Sequence, residues 1–173
     1  MSEPKRPPFI VSTRDVPERY EAPYPNNPER FSHGRAIGKA AGLLRIGLHV
    51  ERLEPGHRTS LPHAEEDEEE FVYVLEGRVD AWIDGDLWPM EAGDLAAFPA
   101  GTGIAHTIIN NSDATALLLV GGERAKSDSR IVYPLNDERR GDMPWSQWWS
   151  DAPARPLGPH DGLPDAAREK KSG

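Results

Sequence analysis

Leu61-Pro62-His63-Ala64-Glu65-Glu66-Asp67-Glu68-Glu69-Glu70-Phe71-Val72-Tyr73-Val74-Leu75-Glu76-Gly77 decides how the chain is read. It opens next to a histidine, runs through six consecutive acidic residues, and ends in an apolar strand closed by glycine. Six like charges in a row repel one another, so such a run ordinarily marks a solvated loop or tail. Here it feeds directly into Phe71-Val72-Tyr73-Val74-Leu75, the best strand-forming segment of the chain. Carboxylates held at the mouth of a strand cost stability unless something positive compensates them. A metal ion is the leading candidate.

On either side of this stretch the chain reads as a succession of short strands. Upstream, Leu44, Ile46, Leu48 and Val50 alternate with polar or small residues, the period-2 pattern of a half-buried strand. Pro55-Gly56 turns the chain into a short strand over 59–65, followed by one over 70–75. Downstream, Asp84-Gly85 is a strong type I′ hairpin signal between strands at 78–83 and 87–90. Further strands fall at 95–98, 104–110 and 115–120. About eight short strands with almost no helical periodicity predict an all-β sandwich or barrel, and a jelly roll is its natural closure.

Prolines frame this middle: seven of 17 lie in residues 1–30 and five in 141–173. Residues 1–42 read as an irregular arm in which Pro23, Pro25 and Pro28 prevent a helix, and 43–122 as the barrel. Residues 123–173 read as an extension with one β-like piece at 131–133. Trp145, Trp148 and Trp149 carry helical i, i+3, i+4 spacing and would not stay in water without penalty, so they are expected to dock on the barrel or on a second subunit.

Composition narrows the function. The chain has 173 residues, a net charge of −9 and no cysteine, so thiolate metal sites are excluded and nothing resembles a basic stripe for nucleic acid. The N-terminus lacks a signal-peptide core and no apolar run reaches bilayer length. A soluble, cytoplasmic protein is expected, with no membrane partner.

Of six histidines, His33, His49, His57 and His160 read as structural. His63 and His106 stand beside turns among strand residues that face inward. Tyr73, Trp82, Trp88, Phe98 and Ile108 read as core, Gly101-Thr102-Gly103 as a turn, and Gly121-Gly122 as a strand exit.

Two motifs resemble those of the cupin superfamily. The first is Gly56, His63-Ala64-Glu65, Glu70 and Gly77; the second is Gly93, Pro99-Ala100-Gly101, His106 and Asn110. The resemblance covers roughly residues 43–121 and implies a single jelly-roll barrel, with a site built from His63, Glu70 and His106. The family's second histidine is replaced by Glu65. That leaves a two-histidine, two-carboxylate site, a three-ligand site, or a pocket that has lost its metal. Glu69 could replace Glu70, but the seven-residue step to Gly77 favours Glu70, with residues 66–69 as an exposed turn. The ligand types suit iron, manganese, zinc or nickel. The resemblance implies a metal-dependent enzyme acting on a small polar molecule. A non-haem dioxygenase is the first choice, with an isomerase, epimerase, lyase or decarboxylase beside it. The alternatives are a non-catalytic ligand-binding barrel and an acidic docking patch. A homodimer is expected.

Overall fold

The computed structural model describes residues 6–20, 24–25 and 27–172, and the fold is a jelly-roll β-barrel of two facing layers. One layer is a five-stranded sheet of order β1-β2-β9-β4-β7, formed by His33–Arg35, Ile46–Leu53, Ala116–Glu123, Glu70–Glu76 and Leu95–Phe98. The opposite layer has order β6-β5-β8, formed by Asp86–Glu91, Arg78–Ile83 and His106–Ile109. A small two-stranded sheet pairs β3, Ala64–Glu65, with β10, Ile131–Val132. Every one of these ladder pairings is antiparallel. Thus β1, from the stretch read as an arm, and β10, from the stretch read as an extension, both pair with barrel strands.

The expected strands are present, with two differences. The strand expected over 59–65 shrinks to β3, and the residues before it join β8 through isolated bridges, Arg58 to Ile109 and His63 to His106. The alternation in β2 also faces the other way. Glu51 and Leu53 lie opposite Leu118 and Ala116, which are fully buried, and directly opposed residues share a face. The polar phase of β2 therefore faces inward, while Leu44 and Ile46 are 80% and 51% exposed. The alternation marked two faces correctly, but the outer one is apolar as well.

The core between the layers is carried by Leu53, Val74, Val79, Ala81, Ile108 and Leu118. Complete burial of a Val or Leu side chain contributes about 1.5–3 kcal/mol. The Asp84-Gly85 hairpin has the expected left-handed pair, φ +48° and +94°. Gly158 crosses it so closely that a Cβ on Gly85 would fall 2.3 Å from the Gly158 nitrogen. The tail continues with the indole of Trp82 donating to the carbonyl of His160 at 2.9 Å.

The tryptophans do not form a helix. Only Trp145–Gln147 makes a 3-10 turn, after which Trp148 is extended. Trp148 and Trp149 are buried against the same chain, and Trp145 remains 65% exposed. Among the described residues the α-helices are α1, a single turn at Ile37–Ala40, and α2 at Asp165–Ser172. Among the described residues no helix is long and apolar enough to cross a membrane.

Candidate metal centre

His63 and His106 come together because their backbones pair. The His63 N–H donates to the His106 carbonyl at 3.2 Å and the reverse bond is 2.9 Å, so both side chains leave the same face. Glu70, the first residue of β4, meets them. Its Oε2 is 3.1 Å from His106 Nε2 and 3.4 Å from His63 Nε2. One donor atom from each of the three residues lies within 4.8 Å of the others. Phe98, opposite Glu70 in β7, stacks flat on the His106 ring at 3.5 Å.

The other ring nitrogens are committed to the backbone. His63 Nδ1 is 2.8 Å from the Leu61 carbonyl, and His106 Nδ1 is 3.4 Å from that of Ile104. A carbonyl fixes a proton on Nδ1 and turns Nε2 toward Glu70, where it donates to the carboxylate and would give up that proton to ligate an ion, which is how metal-binding imidazoles are oriented. The electrostatics follow from this crowding. Burial pulls the His63 pKa down, but the hydrogen bond and charge of Glu70 and the charge of Glu65 outweigh it and push it up to about 9. Burial, joined by the charge of His63, holds His106 below its ordinary value. Burial would raise Glu70, yet the bonds from His106 and His63 hold it well below the usual carboxylate range. Two imidazoles and one carboxylate, oriented in this way, fit a divalent ion.

Glu65 does not join the converging group. It lies beside it on β3, with Oε2 buried and accepting no hydrogen bond. Burial and the neighbouring charge of Glu70 push its pKa up to about 8. The rest of the acidic run departs from an exposed turn. Glu66 is held by both arms of Arg130, which also reaches Asp151 at 2.7 Å, and Glu68 is only 8% exposed. Asp67 and Glu69 are exposed as expected. Among the remaining histidines, His33 packs at a tilt against Tyr20, with ring centroids 5.4 Å apart, and His160 accepts from the Gly162 N–H. His57 has a buried Nδ1 with no partner, and His49 lines a cavity beside the arm. Of the aromatic positions read as core, Trp88 is 58% exposed: it shares the phase of Met90 and lies opposite Ala81, but β6 is the edge strand of its sheet.

The motif residues divide into structural and chemical ones. Asn110 is fully buried and clamps the chain by donating to the carbonyls of Leu53 and Ala114. Gly77 turns with φ +87° against the backbone of Ala116, where a Cβ would be 3.0 Å from Cα. Gly122 is a positioning residue that the sequence reading passed over as a strand exit. It lies inside β9 opposite Glu70, and a Cβ there would fall 2.7 Å from the Glu69 carbonyl oxygen and 3.1 Å from Glu70 Cγ. Gly122→Ala is therefore expected to displace Glu70 and weaken metal uptake by about 10–100-fold with a smaller loss of stability. Metal titration followed alongside urea unfolding checks this, and unchanged affinity would count against the positioning role.

The same motifs are found by comparison. The cupin domain family model matches residues 49–121. A sugar phosphate isomerase of the cupin superfamily from Silicibacter pomeroyi has 34% sequence identity and a TM-score of 0.66, covering 72% of this chain and 80% of its own. A candidate sugar phosphate isomerase from Acidithiobacillus ferrooxidans is 28% identical with a TM-score of 0.65, over 73% and 81% of the two chains. Polyketide synthase CurC from Streptomyces cyaneus is 29% identical over 120 residues, 61% of this chain and 73% of that one. The chain belongs to the cupin superfamily.

Proposed function

We propose that this protein is a metal-dependent isomerase of a small hydroxylated carbonyl compound, of the sugar phosphate class. The observation that carries the reading is a His63–Glu70–His106 donor set beside a buried carboxylate, Glu65, that has no hydrogen-bond partner. The likeness to the Silicibacter pomeroyi protein supports the substrate class. A divalent ion held by His63, Glu70 and His106 supplies Lewis acidity toward a carbonyl or hydroxyl oxygen. Isomerisation also needs a group that takes a proton from one carbon and returns it to its neighbour. Glu65 stands beside the donor set for that work, and its burial raises its pKa in the direction that general acid–base catalysis needs. Burial of His63 and His106, with the rings of Tyr133 and Phe98 against them, keeps water from competing for the proton.

The test is deuterium uptake at the carbon next to the carbonyl, followed by NMR in D2O with metal-loaded protein and aldose or ketose phosphates. Glu65→Gln should keep the metal and lose exchange by about 100-fold or more. Protein purified without chelator that contains no metal, or unchanged exchange in Glu65→Gln, would overturn the reading. A second reading rests on the two-histidine, one-carboxylate composition, which also suits an iron(II) dioxygenase. Substrate-dependent oxygen consumption separates it.

The expected homodimer has a candidate surface in the outer face of the five-stranded sheet, where Leu44, Ile46, Leu75 and Leu95 are exposed. Five strands of this length present roughly 550 Å² per copy, at the lower end of specific interfaces. A second copy is proposed as the occupant. Ile46→Glu with Leu95→Glu should halve the mass on sizing chromatography, and a wild-type protein that is already monomeric would sink the pairing.

A further inference from the structure

The metal ligands do not line the cavity formed where the N-terminal arm meets the barrel. This cavity of about 480 Å³ is bounded by Arg19, Ser32, Gly34, Lys39, His49 and Glu51, among others. Its floor follows from register. Arg19 bridges Gly34, and Gly34 lies opposite Glu51, so the three occupy one row across the sheet and share its inner face. Gly34 leaves the middle of that row bare. Its φ is not left-handed, and the nearest atom to a Cβ placed there is His49 Nδ1 at 3.9 Å, so neither backbone nor neighbours demand glycine.

The polar groups around this space are of two kinds. Ser32 Oγ donates to Glu51 Oε2 at 2.5 Å, and His49 Nδ1 lies 3.9 Å from Glu51 Oε1, giving a hydroxyl, an imidazole and a carboxyl close together. Burial raises the Glu51 pKa, which makes its carboxyl a better donor. At the rim, Arg19 and Lys39 are exposed and have no ion-pair partner among the described residues. Arg35, Arg52, Arg58, Arg130, Arg139 and Arg155 are each matched to a carboxylate, while Arg14, Arg30, Arg45, Arg124, Lys126 and Arg140 are unmatched among the described residues like Arg19 and Lys39 but do not line this cavity. Two unmatched cations beside one cavity, on a chain of net charge −9, make a local site for an anion.

We infer that the arm–barrel cavity binds a phosphorylated polyol or sugar, with its phosphate on Arg19 and Lys39 and its hydroxyls on Ser32, His49 and Glu51. This rests on the isomerase reading for the class of substrate, and gives that reading a binding pocket outside the metal ligands. Glu51 and His49 thereby become binding residues for the hydroxyls of a substrate of that class.

Isothermal titration calorimetry on the full chain tests the site with four probes: inorganic phosphate, fructose 6-phosphate, ribose 5-phosphate and unphosphorylated fructose. At least one sugar phosphate should bind more tightly than either inorganic phosphate or fructose. Arg19→Ala with Lys39→Ala should weaken that binding at least tenfold, and Gly34→Leu should block it without lowering the melting temperature. His106→Gln should remove the metal yet leave a phosphate contribution that still depends on Arg19 and Lys39. The inference is overturned if no phosphorylated probe binds, if the double variant binds as the wild type does, or if inorganic phosphate matches the esters and Gly34→Leu has no effect. A metal-free protein that binds sugar phosphate through Arg19 and Lys39 keeps the pocket and removes the metal enzyme. A metal-loaded protein that binds none of the phosphorylated probes does the reverse.

Discussion

His106→Gln is expected to abolish stoichiometric metal binding while leaving the barrel folded. Among the described residues the imidazole is one of three donors that converge, so its loss leaves His63 and Glu70 as a two-point site. Loss of a group that merely orients a ligand costs about 10–100-fold in affinity, and loss of a ligand itself should exceed that range. Glutamine approximates the volume under Phe98, which stacks on the ring, and keeps a donor for Glu70. The folding penalty should therefore stay within about 1–3 kcal/mol. His49→Ala makes the contrast: it lines the arm cavity, and its loss should leave metal content unchanged. Elemental analysis of the wild type and both variants, purified identically without chelator, decides the matter. Equal metal in His106→Gln and the wild type would remove this centre from consideration, as would a wild type that carries no metal.

The barrel was legible because its signals are local. Asp84-Gly85 names a turn type, and the alternations in β4 and β5 name strands, whatever the rest of the chain does. His63, Glu70 and His106 were singled out by the resemblance of two motifs to the cupin pattern, and the fold brings one donor atom of each within 4.8 Å of the others. What was not legible depended on partners distant in sequence. The acidic run seemed to need a metal to offset it, but one of its six charges, Glu66, is met by Arg130, 64 residues further on. Gly122 looked like the end of a strand because nothing near it in sequence shows that Glu70 packs on it. The inward turn of Glu51 and His49 was hidden for a related reason. Their strand is apolar on its outer phase, and periodicity alone does not say which face is the core.

The tail carries the largest expected effect on stability, and it divides between two neighbouring tryptophans. Trp148→Ala should destabilise the protein by about 3–5 kcal/mol, as truncation of a fully buried large aromatic does. Trp148 is 2% exposed and packs in one cluster with Tyr24, Phe31, Leu61 and Tyr133. Arg140 lies over its ring at 4.8 Å, and the next residue donates its N–H to the Ile131 carbonyl at 2.9 Å. Trp145, also under Arg140 at 5.5 Å, is 65% exposed, and its replacement by alanine should cost no more than about 0.5 kcal/mol. The effect of Trp148→Ala should extend to the metal centre. The Tyr24 hydroxyl accepts the Leu61 N–H at 3.1 Å, and Leu61 is the residue whose carbonyl orients His63. Tyr133 lies 5.9 Å from the His63 ring. An emptied Trp148 site thus loosens the segment that aims a ligand, and metal affinity should fall even under conditions where the variant remains folded. Urea unfolding gives the stability of each variant, and metal titration of folded Trp148→Ala gives the coupling. Equal losses for the two tryptophans would contradict the packing. Wild-type metal affinity in folded Trp148→Ala would show that the tail stabilises the barrel without shaping its metal centre.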